Sequence, residues 1–108
     1  MKTRYTLKHY LTEEGTDVII EWLRGLNDHQ AVSRIIQRLD RVRFGNFGDH
    51  KAVGEGVWEL REHYGPGYRL YYCFDGDTII LLLAGGDKGT QTEDIKTAKR
   101  RKADYEGG

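Results

Sequence analysis

VWELREHYGPGYRLYYCFDGDTIILLLA, residues 57–84, decides the fold. In Val57–Glu62, Trp58 and Leu60 point to one side while Glu59 and Arg61 point to the other, the period of a strand. Tyr64-Gly65-Pro66-Gly67 is turn chemistry: proline presets φ, and glycine tolerates the positive φ of a tight reversal. Alternation resumes over Tyr68–Asp75, with Tyr68, Leu70, Tyr72 and Phe74 on one side and Arg69, Tyr71 and Cys73 on the other. Asp75-Gly76 marks a second turn, after which Thr78–Ala84 is almost wholly apolar, as a strand covered on both faces should be. Three antiparallel strands in meander order follow.

Working outward, the loose alternation of Thr3–Tyr10 predicts a first strand. Ile19, Trp22, Leu23 and Leu26 recur at the helical spacing i, i+3, i+4, i+7, with Thr12 or Thr16 as candidate N-cap and Gly25 and Asn27 marking the end. A second helix after Asp28 carries the apolar stripe Val32, Ile35, Ile36, Leu39 and Val42. Arg34, Arg38 and Arg41 are expected on its opposite side as a ribbon of guanidinium groups, either a solvated face or a contact for RNA phosphate or an acidic partner. Gly45 to Gly56 reads as a loop. Thr90 and Glu93 form a candidate capping box for a last helix in which Ile95, Ala98 and Tyr105 can pack. The expected architecture is α+β: two N-terminal helices on a mainly antiparallel four-stranded sheet, with a C-terminal helix.

Length supports one domain over residues 1–108. The longest apolar run, Ile79–Ala84, is six residues against the ~20 that cross a bilayer. Met1–Tyr10 does not build the apolar core of a signal peptide, and the single cysteine, Cys73, offers no internal disulfide. These features predict a cytoplasmic protein held together by packing. Formal charge is zero, from 17 basic and 17 acidic residues, but residues 31–51 and 88–108 are net basic while 52–87 is net acidic. Neutrality argues against a general nucleic-acid coat and leaves room for a local positive face.

The pleat carries the chemistry. If the Trp58, Leu60, Leu70 and Tyr72 side packs on the helices, Glu59, Arg61, His63, Arg69 and Tyr71 should face outward together. A tight hairpin brings Arg61 close to Arg69, and the pair needs either a carboxylate between them, for which Glu59 is the candidate, or an anionic ligand. Gly85-Gly86-Asp87-Lys88-Gly89 is expected to bring a flexible glycine loop, an ammonium and free helix N–H groups beside them, although its spacing is not that of a Walker A loop. Histidines and the lone cysteine show no metal-ligand spacing, so no metal or small-molecule cofactor is expected. The one serine, Ser33, lies mid-helix, which disfavours serine nucleophile chemistry.

On these residues the chain resembles a known family. GNFGDHK, VGEGVWELREHYGPGYRLYY and LLLAGGDKGTQTEDIKTAKRR, with the helix text EWLRGLND and RIIQRLDRVRFGNFGD, are similar to the HigB-like (Gp49-like) addiction-module killer proteins of the RelE/ParE toxin superfamily. The resemblance implies a small RelE-like α+β toxin, neutralised by a co-encoded antitoxin that is often a helix-turn-helix protein. Members of the ribonuclease branch cut messenger RNA, commonly on the translating ribosome.

Carried over by motif, ELR places one sheet arginine at Arg61, GYR places the second at Arg69, GGDK places the cation at Lys88, and the hairpin adds His63. The ribonuclease branch often has a tyrosine or histidine near the last helix, and no tyrosine lies between Tyr72 and Tyr105 here. Glu59 or His63 is then the candidate proton acceptor. Arg34, Arg38, Arg41, Lys51, Lys96, Lys99 and Arg100 are the expected RNA contacts. Two alternatives stay open: a gyrase-poisoning toxin without nuclease activity, and a non-catalytic RNA- or partner-binding module.

Overall fold

A computed structural model describes residues 2–107. The elements run β1 (Thr6–His9), α1 (Val18–Arg24), α2 (His29–Arg43), β2 (His50–Gly54), β3 (Val57–Glu62), β4 (Tyr68–Asp75) and β5 (Ile79–Asp87). A single 3-10 turn (Lys88–Thr90) then leads into α3 (Gln91–Tyr105). They form one sheet in the order β1-β5-β4-β3-β2, with β2 to β5 an antiparallel meander and β1 added parallel to β5.

The sheet has five strands where the sequence predicts four. The missed strand, β2, lies inside the glycine-rich stretch read as a loop. It forms an edge of the sheet and is exposed at four of its five residues, so no buried alternation marks it. Its reversal into β3 uses Glu55 at φ 54° and Gly56 at φ 79°, the paired left-handed conformation that matches strand twist in a two-residue hairpin. Glycines at 54 and 56 here signal a hairpin rather than the end of regular structure.

Strand parity is as the pleat predicts, but the outward face is not open. On one side Leu60, Tyr68, Leu70, Tyr72, Ile80 and Leu82 pack with Ile19, Ala31, Ile35, Leu39 and Val42 of α1 and α2. On the other, Val57, Tyr71, Cys73, Leu81 and Leu83 pack under α3 through Ala98, Ile95 and Tyr105. Burying each such Leu or Ile stabilises by roughly 1.5–3 kcal/mol, which explains why β5 is apolar at successive positions.

Local signals place the helices with two corrections. Asp17, not Thr12 or Thr16, caps α1, its carboxylate accepting from the N–H groups of Ile19 and Ile20 at 3.0 Å. Asp28 caps α2 and Gly25 ends α1. The capping box at the C-terminal helix pairs Asp87 with Thr90 around the 3-10 turn, rather than Thr90 with Glu93. Among the described residues no helix is long and apolar enough to cross a membrane.

The Gly85-Gly86 pair is strand, not a flexible loop. A Cβ on Gly85 would lie 2.2 Å from the Trp22 ring, and one on Gly86 would lie 1.8 Å from Asp94 Oδ2. Both glycines are there because α1 and α3 touch the β5 backbone. A side chain would push either helix away.

Candidate functional site

Arg61 and Arg69 stand opposite each other in the β3–β4 register and share the α3 side of the sheet. Cross-strand Cβ atoms lie about 5 Å apart, where two bare guanidiniums would repel by about 3 kcal/mol at an effective dielectric near 20. Two carboxyl groups offset this repulsion, not one. Arg61 donates from Nε (3.1 Å) and Nη2 (2.7 Å) to Asp49 Oδ1. The other Asp49 oxygen, Oδ2, meets Nε2 of His63. Hydrogen bonds from His63 and then Arg61 hold the Asp49 carboxyl below the usual carboxylate range.

Glu59 does not lie between the two arginines, as the sequence suggests it should. It is 0% exposed, lies beneath α3, and its Oε2 accepts from Tyr71 Oη at 3.0 Å and Gln91 Nε2 at 2.7 Å. Burial first, and the neighbouring Glu59 carboxyl second, push the Tyr71 hydroxyl far above its ordinary value, so it stays a donor. Arg69 Nε is 3.9 Å from Glu59 Oε2, beyond hydrogen-bond reach, and Glu59 Oε1 has no partner. A group sealed in this way cannot take a proton from an external substrate. Glu59 instead ties α3 to the sheet through Gln91.

Arg69 is also largely covered, at 7% exposure, with Nη1 donating to Tyr68 O at 3.4 Å. Above it, the β3–β4 turn closes against the 3-10 turn, where Lys88 N donates to Gly67 O at 2.9 Å. The space beside the Gly67 Cα is bounded by Arg69 Nη1 and Lys88 Cβ, each 3.6 Å from where a Cβ would sit. Three of the five predicted site residues therefore remain reachable: Arg61 partly, His63 and Lys88 openly. Arg69 lies just beneath them.

Residues 21–103 match the family described as phage-derived Gp49-like protein. The chain belongs to that Gp49-like family, of the RelE/HigB toxin type. An uncharacterised protein of Haemophilus influenzae is 47% identical over 78 residues, which are 72% of this chain and 79% of that one. The fold is similar to that of a double arginine-to-alanine mutant of the Escherichia coli toxin RelE in the free state, with a TM-score of 0.59 and 20% identity. That likeness covers 86% of this chain and 96% of RelE.

In this Gp49-like protein the expected ribbon on α2 is broken. Arg38 is buried and faces inward with Ala31, Ile35 and Val42, while Ile36 of the predicted apolar stripe is 52% exposed. The guanidinium donates to Phe47 O from Nε and Nη2, to Asp49 O from Nη2 (2.6 Å), and to Arg61 O (2.7 Å) and Glu62 Oε1 from Nη1. Three carbonyls converge there, and arginine alone brings enough fixed N–H groups to satisfy them. Committed in this way, Arg38 is unavailable to RNA. Arg34 lies 4.6 Å over the Tyr64 ring, and Arg41 is exposed.

The remaining basic residues divide similarly. Lys51, Lys96 and Arg100 are exposed, with Lys96 3.5 Å from Glu93. Lys99 pairs with Glu55 at 3.3 Å, and its Nζ lies over Gly54 of the β2–β3 hairpin. Arg101 turns inward to donate to Leu83 O. The sequence reading leaves out Asp49 and Gln91, puts Tyr71 on this face without naming its Glu59 partner, and assigns Arg38 to RNA instead of to the carbonyls it holds. Reading β2 would have found Asp49, because the register His50↔Leu60 places it beside Arg61.

Proposed function

We propose that this Gp49-like chain is the toxin of a type II toxin–antitoxin system and acts as a metal-independent endoribonuclease on messenger RNA at the translating ribosome. The observation that carries the reading is the end of β3 and β4, where Arg61 and His63 share the Asp49 carboxylate, Arg69 stands opposite Arg61, and Lys88 packs on the same turn as Arg69. Family membership supports the toxin role, and the residues support the chemistry. The RNA 2′-OH is itself the nucleophile, so the protein needs to align it with the phosphorus, accept its proton and stabilise phosphoryl charge. Arg61 contacts the phosphoryl oxygens, with Arg69 on the neighbouring strand and Lys88 beyond it adding positive charge. With Glu59 sealed, His63 is the proton acceptor.

His63 and Lys88 stand exposed and Arg61 partly so, an open arrangement that suits an enzyme leaving message positioning to the ribosome. Exposed Arg34, Arg41, Lys51, Lys96 and Arg100 are the proposed contacts to ribosomal RNA, joined by the partly screened Lys99. Residues 1–108 act as one domain in the cytoplasm, silenced by a co-encoded helix-turn-helix antitoxin. The test is primer extension on messages from cells expressing wild type or Arg61→Ala. New 5′ ends are expected only with wild type, and loss of a donor of this kind lowers cleavage by about 10²-fold or more. Unbroken transcripts during growth arrest, above all with a DNA-damage response, would replace this reading with gyrase poisoning.

A further inference from the structure

We propose that Asp49 is a positioning residue that sets the tautomer and direction of His63 beside the Arg61 guanidinium, making His63 Nδ1 the atom that takes the proton of the RNA 2′-OH. This deepens the nuclease reading and rests on it.

An ionised carboxylate only accepts hydrogen bonds. The His63 nitrogen facing Asp49 Oδ2 is Nε2, so in the neutral ring Nε2 carries the hydrogen and Nδ1 keeps its lone pair. Among the described residues no other hydrogen bond engages the ring, and the side chain is 68% exposed, which leaves Nδ1 accessible to RNA. The same carboxylate holds Arg61 through its other oxygen. It cannot turn toward one partner without releasing the other, so the base and the phosphate contact are held in a fixed relation.

Asp49 is itself held from behind. Its carbonyl accepts from Arg61 N at 2.9 Å and from the buried Arg38 Nη2 at 2.6 Å. Arg38 also grips Phe47 O, so the segment entering β2 is fixed at Phe47 and at Asp49 itself. An acid on an anion-binding surface opposes phosphate unless it serves the groups around it. Here both oxygens are committed to cations or donors, which lowers that cost.

In the step proposed, the 2′-oxygen forms a bond to phosphorus while the bond from phosphorus to the 5′-oxygen breaks. The 2′-hydroxyl proton passes to His63 Nδ1, and the departing 5′-oxygen takes a proton from water. The resulting hydroxide then recovers the proton from His63, leaving a 2′,3′-cyclic phosphate, a 5′-hydroxyl and the starting ring.

Single-turnover cleavage of a defined message on programmed ribosomes, with 15N NMR of the His63 ring, tests this. Asp49→Asn should lower the cleavage rate about 10- to 100-fold with message affinity within about threefold, the size seen when a residue orienting a reactive group is lost. His63→Gln should cost about 100-fold or more, and adding Asn at 49 to that variant should change the rate by less than about threefold. The ring should be protonated on Nε2 in the wild type and lose that preference in Asp49→Asn. Multiplying losses in the double variant, or a hydrogen on Nδ1 in the wild type, would overturn the proposal. A wild-type chain that leaves the message whole, yet shows the Nε2–H ring, would remove the nuclease reading while leaving the Asp49 geometry in place.

Discussion

Replacing Arg38 by methionine keeps an unbranched, largely apolar stem but stops two atoms short of the terminal guanidinium nitrogens, and it deletes every donor. Five contacts end there: two to Phe47 O and one each to Asp49 O, Arg61 O and Glu62 Oε1. Phe47 O and Arg61 O lose these donors and Asp49 O keeps only the Arg61 N–H, at about 1 kcal/mol for each bond lost to a carbonyl, and Glu62 loses its closer cation. The expected loss is about 3–5 kcal/mol, the range for breaking a buried charged pair, against a total stability of about 5–15 kcal/mol. Urea unfolding followed by circular dichroism would show it as a lower midpoint, and heating as a fall of roughly 4–8 °C per kcal/mol. Arg34→Met is the control, because its 4.0 Å pair with Glu62 is half exposed and worth under about 1 kcal/mol. Equal midpoints for Arg38→Met and wild type would refute the idea that this guanidinium joins α2 to the edge of the sheet.

Gly86→Ala should destabilise by at least about 1–3 kcal/mol and speed hydrogen exchange in the first turn of α3, since its methyl would collide with Asp94. Normal exchange there would mean that α3 does not rest on the strand. The Asp49 carboxyl titrates below its unfolded value, so it stabilises the fold at neutral pH and that contribution fades as pH falls through the acid range below about 4. Asp49→Asn should flatten that limb of the stability profile, and an unchanged acid limb would contradict the Arg61 and His63 bonds. Burial raises the Cys73 thiol to about 11, so alkylation at pH 8 should be slow when folded and fast in denaturant. Rapid native labelling would show that α3 does not cover β4.

Side-chain alternation made the β3–β5 meander and its parity legible, because each of those strands has at least one buried face. It was silent about what lies above the second face. Ile95, Ala98 and Tyr105 mark a packing side of α3, but three residues amid a run of lysines and arginines do not say which strand positions the helix covers. Glu59 and Arg69 then look exposed, when that helix in fact seals them. Arg38 was misplaced for a related reason: periodicity assigns charge to the wet side, and only three converging carbonyls supplied by distant segments reverse that. Asp49 was invisible because β2 was.

The parallel pairing of β1 with β5 joins residues far apart in the sequence, Thr6 with Ile79 and His9 with Leu82. A ladder between such distant segments raises contact order, and closing it late slows folding relative to the local hairpins. During synthesis β1 waits without its sheet neighbour until Ile79–Asp87 has been made. The sheet of this toxin-family chain thus closes only after β5 has emerged, leaving β1 unpaired for an interval in which a cognate antitoxin can meet it.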